Sequence, residues 1–203
     1  MACILTKGLT VDCKDSIGGL KAIFFASTYS PEVRSAATFN GTDVLQMDTA
    51  GFTGWSAYGN PTASTVTVFK YALRPNLSSM TVNINSDPAT GTTFFEQTLS
   101  LTLQKLSVAE TNEIKLISYN RTQVFVQDNM DNLFLLGMDN GCDVSGGTAI
   151  TGAAKGDMSG YTLELRAEEK DPMIWLKPTA GSGTDYPFDG LSDADADLTI
   201  VAS

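Results

Sequence analysis

The sequence predicts a mainly β fold with one α-helix, and three observations carry that prediction. Period-2 alternation and β-branched residues dominate the chain. The segment from Thr92 to Leu106 alternates over the length of one long strand. It puts Phe95, Gln97, Leu99, Leu101 and Leu103 on one face and Glu96, Thr98, Ser100, Thr102 and Gln104 on the other. One helix start signal, Ser107-Val108-Ala109-Glu110, follows directly. Its spacing is that of a capping box, in which the Ser hydroxyl accepts from an early amide and the Glu reaches back.

The elements follow in order. Residues 1–15 read as an extended arm that carries Thr6, Thr10 and Val11 and is punctuated by Gly8. Gly18-Gly19 makes a turn into a buried strand, Leu20 to Ala26. Residues 28–63 hold strand-like pieces near Thr38-Phe39 and Val44 to Met47, then a loop rich in Gly, Ser, Asn and Pro that carries Trp55 and Tyr58. A loop of that length is commonly functional. Thr65 to Leu73 is a strand, and Ser79 to Asn85 is another, with Met80, Val82 and Ile84 on one face. Asp87-Pro88-Ala89-Thr90-Gly91 is turn chemistry, so the strands around it form a long hairpin over about 79–106. The helix runs over about 107–119 with an imperfect stripe of Ile114, Leu116 and Ile117. Asp128 to Asp131 joins two strands as a hairpin. Turns are expected at Gly146-Gly147 and at Lys155-Gly156-Asp157, then a strand from Tyr161 to Ala167, with Glu168 and Glu169 exposed after it. Residues 1–177 read as a single β-rich domain, and 178–203 as a loosely held acidic tail in which Leu198 to Val201 allow one more short strand.

Charge and composition narrow the function. The chain of 203 residues carries a formal charge of −10. Half of that excess comes from Asp185, Asp189, Asp193, Asp195 and Asp197, beyond the last basic residue, Lys177. A net acidic protein repels phosphates at long range, so ordinary nucleic-acid binding is disfavoured, whereas a channel that DNA must slide through is not. Cys3, Cys13 and Cys142 are too few and too odd for a disulfide framework and suit reduced thiols in a cytoplasm. The first residues lack the apolar run of a signal peptide. No apolar stretch approaches the roughly 20 residues that span a bilayer.

The sequence offers little catalytic chemistry. There is no histidine, which removes the commonest general base and metal ligand. The cysteines lack zinc-site spacing, and no phosphate-binding glycine motif follows a strand. Asp193, Asp195 and Asp197 alternate as calcium ligands can, but without the loop glycine and later Glu of an EF-hand they read as a solvated acidic face. No catalytic residue, metal or cofactor is expected. Trp55 and Tyr58 fit an inter-subunit contact or a packing anchor better than a sugar-stacking platform.

The order of certain segments resembles bacteriophage tail tube proteins and closely related virion structural proteins. The resembling blocks are Cys13 to Lys21, Thr92 to Leu99, Gln127-Asp128-Asn129 before a hydrophobic strand, and Ala153 to Leu163. They span much of residues 1–170 and leave the acidic tail outside. The resemblance implies a β-sandwich or open barrel with one helix packed on its side. It also implies self-assembly into rings, hexameric in that family, stacked into a DNA-conducting tube in the virion tail. The partners would be copies of the chain, other phage tail proteins, and passing DNA without specific binding. On that reading Glu96, Thr98, Ser100, Thr102 and Gln104 face the lumen. Thr6, Lys7, Trp55 and Tyr58 make contacts between rings, and the tail faces outward or mediates stacking. The strands taken alone fit an ordinary closed monomeric sandwich. Competing readings are another virion part, such as a head–tail connector or decoration protein, and a carbohydrate-binding or adhesion module.

Overall fold

In the computed structural model, the apolar runs pair into two sheets that face each other. The structure describes residues 14, 16–27, 29, 46–47, 65–176, 187–188 and 197–202. Its strands are β1 (Leu20–Ala26), β2 (Gln46–Met47), β3 (Thr65–Ala72), β4 (Ser79–Asp87), β5 (Thr92–Gln104), β6 (Val124–Asp128), β7 (Leu133–Leu136), β8 (Asp143–Ile150), β9 (Gly160–Glu169), β10 (Ile174–Leu176) and β11 (Asp197–Ala202), and its helix is α1 (Val108–Tyr119). One sheet has seven strands in the order β11-β3-β1-β6-β7-β10-β2, and the other has four in the order β4-β5-β9-β8. Among the described residues the fold is a β-sandwich with one helix, as expected.

The central strands of the seven-stranded sheet, β1, β6 and β7, are buried on both faces. Ile23, Phe25, Val124, Val126 and Leu136 face the four-stranded sheet and meet Leu99, Leu101, Leu163, Leu165 and Ala167. The alternate residues Phe24, Phe125, Leu133 and Leu135 form a second core on the far side. This explains why Ile23-Phe24-Phe25, Val124-Phe125-Val126 and Leu133 to Leu136 read as unbroken apolar runs. Phe188 closes the second core. Its ring stands edge-on to Phe24 at 5.0 Å and to Phe125 at 5.1 Å. Such contacts add about 0.5–1.5 kcal/mol per pair to the area buried.

Within the stretch read as a tail, Phe188 and β11 are therefore built into the fold. β11 lies parallel to β3 from Asp197 against Thr65 to Ala202 against Lys70. Ile200 packs on the second core, and the short strand allowed for at Leu198 to Val201 is present.

Three local expectations are corrected. Gly146-Gly147 is not a turn but lies inside β8, at a register shift between Val144 and Gly146. Added at Gly147, a Cβ would sit 2.7 Å from the Thr162 carbonyl oxygen. Gly147 thus allows a close strand approach beside the bulge. Glu169 is not exposed: it falls on the inward face of β9, where its Oε1 accepts from the amides of Asp139 (3.1 Å) and Asn140 (2.7 Å). Glu168, one residue earlier, is exposed. The α1 capping box is half formed. The Ser107 hydroxyl accepts from the Glu110 amide at 3.2 Å, whereas Glu110 Oε2 is buried without a hydrogen-bond partner. In the helical stripe Ile114 and Ile117 pack inward, but Leu116 points to solvent.

The remaining turns behave as their residues dictate. Asp87 accepts from the Ala89 amide at 2.9 Å, and Gly91, at φ 68°, donates to the Asp87 carbonyl. Asp128 Oδ1 accepts from the amides of Met130 and Asn132, both at 2.8 Å. Asp157 Oδ2 holds the amides of Ala153 and Ala154 and fixes the expected turn at 155–157.

Two outcomes test this packing. Replacing Phe188 with alanine should destabilise the protein by about 3–5 kcal/mol in denaturant unfolding; a loss under about 1 kcal/mol would show that the aromatic plug is dispensable. Burial, with the nearby Glu169 and Asp143 charges, pushes the Cys142 thiol far above the ordinary thiol range. In a C3S/C13S background Cys142 should resist iodoacetamide at mildly alkaline pH and react only after unfolding. Rapid labelling of the native protein would contradict its burial.

Candidate assembly surface

The alternation of β5 is realised as read. Leu99 and Leu101 are buried, and Gln97 beside them is 3% exposed. The Gln97 side chain is satisfied there: Oε1 accepts from the Gly137 amide at 2.9 Å, and Nε2 donates to the Pro172 carbonyl at 2.8 Å. The opposite face of β5 carries all five residues singled out from the sequence. Register extends this face across the sheet. Glu96 lies against Glu168, Thr98 against Arg166, Ser100 against Glu164, Thr102 against Thr162 and Gln104 against Gly160. On the other side Asn83, Thr81 and Ser79 stand beside Glu96, Thr98 and Ser100. The Thr148 and Thr162 hydroxyls bond at 2.6 Å, continuing the polar face onto β8.

Charge on this face is acidic and locally balanced. Its outward positions carry Asp87, Glu96, Asp143, Glu164 and Glu168 against a single cation, Arg166. Strand order brings Arg166 beside β5, where no Lys or Arg occurs between Thr92 and Gln104. The guanidinium is held from two sides. Nε sits 2.9 Å from Glu96 Oε1, and Nη2 sits 2.8 Å from Glu168 Oε1. Asn85 Nδ2 donates to the second Glu96 oxygen at 3.4 Å. Ion pairs this exposed add at most about 1 kcal/mol to stability. Their larger effect is to leave no free cation on the face for a phosphate. At the hairpin turn, the Ala89 amide and the Thr90 hydroxyl hold the Asp87 carboxyl below its usual range, so it stays charged.

Among the described residues, no strand pairs with the sheet bearing this face beyond β4 on one side or β8 on the other. β4 pairs with β5 alone and β8 with β9 alone among the described residues. β4 is a regular edge: its nine residues pair with β5 without a bulge and include neither Lys nor Pro. Natural edge strands are commonly blunted by those devices. The hairpin also overhangs. β9 begins pairing with β5 at Phe95, so Thr92 to Phe94 and the turn before them extend past it. Ile84, on the apolar face of β4 opposite Phe95, where β9 begins to pair, is 70% exposed.

Thr6, Lys7, Trp55 and Tyr58 lie outside the described residues. The sequence reading missed Arg166. Alternation from Tyr161 to Glu169 does place Thr162, Glu164, Arg166 and Glu168 on one face, but only strand order sets that face beside β5.

No protein-family model matches the chain, and no curated protein matches it. Among solved structures it is similar to a chain from the virion of a native gene transfer agent particle. That likeness has a TM-score of 0.34 and 6% identity, and covers 53% of this chain and 89% of the other.

Proposed function

We propose that this chain is a phage tail tube subunit. Copies join through the open edges of the four-stranded sheet into rings, hexameric as the sequence resemblance implies, and the rings stack into a tube that conducts DNA. The unguarded β4 edge, bordering a polar and net acidic face, carries this reading. A closed ring satisfies the amides and carbonyls that β4 leaves unpaired. Glu96, Thr98, Ser100, Thr102 and Gln104 then line the lumen with hydroxyls, amides and carboxylates. DNA slides past such a lining because no free cation releases counterions on contact. The role is physical, and the chain is not an enzyme. Its place is the virion tail after synthesis in the host cytoplasm, among copies of itself and other tail proteins.

Two experiments test the reading. Ile84→Lys puts a charge on the β4 edge strand at an exposed position, without disturbing a packed core. Its stability should stay within about 0.5 kcal/mol of the parent, and its ring assembly should fail in sedimentation and negative-stain images. Normal rings from this variant would refute edge-mediated assembly. E96K/T98K should still form tubes, but those tubes should bind double-stranded DNA with steep salt dependence and slow genome ejection. Ejection at the parental rate would remove this face from the lumen.

A further inference from the structure

The two ends of the four-stranded sheet differ in shape and in charge. At one end β4 and β5 run past β9 and close in the turn from Asp87 to Gly91, where every residue from Ser86 to Phe94 is exposed. The turn carries one charge, Asp87, and no cation. At the other end β5 stops at Gln104 against Gly160. There an open cleft of about 830 Å³ lies between the end of β3, the start of α1 and the loop before β9. Its charged lining residues are Lys70, Arg74, Lys105, Glu110 and Asp157, three cations against two anions in a chain of net charge −10.

Two of those cations have nothing to neutralise them. The Lys70 ammonium lies 5.8 Å from the centre of the Phe24 ring. Asp157 is taken up by the amides of Ala153 and Ala154, and Glu110 has one oxygen buried. Arg74 and Lys105 are exposed, and among the described residues neither side chain makes an ion pair or a hydrogen bond. Lys105 is also held in the left-handed region, at φ 78°, with its amide donating to the Ser159 carbonyl at 2.9 Å. A long side chain on such a backbone marks a position where local strain is kept for what the residue does.

The acidic turn cannot reach the cleft of its own chain. The thirteen residues of β5 hold the two about 40 Å apart, and β5 is paired along that whole length. A second copy set end to end along the strand direction brings its turn to the cleft of the first.

We propose that the turn from Asp87 to Gly91 of one copy docks in the cleft between β3, β5 and α1 of the next, with Asp87 against Arg74 and Lys105. Such a contact is heterologous and does not close, so it extends along an axis. In a tube it joins ring to ring through the sheet ends. It also neutralises two cations that would otherwise catch phosphate at each seam. The stacking of rings rests on the tube reading, whereas the contact itself is testable between two chains.

The test uses full-length protein in a C3S/C13S background, where Cys142 is buried. One copy carries Ala89→Cys in the turn. A size-tagged second copy carries Leu77→Cys, at a cleft position 41% exposed. Mixed and oxidised, they should give a disulfide-linked heterodimer. Arg74→Glu with Lys105→Glu in the second copy should cut its yield about tenfold, since like charges then face each other. Adding Asp87→Lys to the first copy should restore it. No heterodimer from copies that unfold at the parental denaturant midpoint would overturn the proposal, as would a yield indifferent to the cleft charges. The two readings fail separately. A charge-dependent heterodimer from a chain that forms no rings upholds the contact against the tube reading. Rings that stack as well with Arg74→Glu and Lys105→Glu as without them do the reverse.

Discussion

The structure depends on burying the central strands of the seven-stranded sheet, β1, β6 and β7, on both faces. Neighbouring residues in β1, β6 and β7 supply opposite cores: Ile23 and Phe25 one, Phe24 the other; Val124 and Val126 one, Phe125 the other. A one-residue slip would exchange the two sets. The register is held because both cores need their own shapes. One takes the flat inner face of the four-stranded sheet; the other takes the Phe188 ring. Conditions that release Phe188 would expose Phe24 and Phe125 together.

The four-stranded sheet answers a different demand. It has one core to cover, so its strands alternate cleanly and leave a whole face free. That face holds hydroxyls, amides and carboxylates, with its one arginine held between two glutamates. The division of labour is physical. The doubly buried sheet supplies stability, and the half-buried sheet can keep open edges and a polar surface because little of the core depends on its rim.

Buried polar side chains tie the two parts together. Gln97 reaches from β5 to the Gly137 amide after β7 and to the Pro172 carbonyl before β10. Glu169 reaches from β9 to the amides at 139 and 140. These side chains stand where loops of one sheet cross the end of the other, and an apolar residue there would leave backbone groups buried without partners. The Gln on the apolar face of β5 is thus a clamp at the join between the sheets. In the sequence it shows only as a polar residue at an apolar position.

Local chemistry, read directly from the sequence, determined most of the elements. Alternation fixed the two faces of β5, Asp87 and Asp128 marked their turns, and Ser107 marked the start of α1. These signals act within a few residues, through side-chain parity and capping bonds. What needed the tertiary structure was every decision made between distant segments. Gly146-Gly147 reads as a turn until β9 lies against it, and then it is a close strand contact. Glu169 reads as exposed until the loop at 139–140 arrives to bind it. Arg166 belongs to the face of Glu96 only because β9, rather than another strand, pairs with β5. Phe188 reads as part of an acidic tail until two aromatic rings are positioned to receive it. Propensity and parity are set along the chain, whereas strand order and the partners of buried polar groups are set by how the two sheets share their cores.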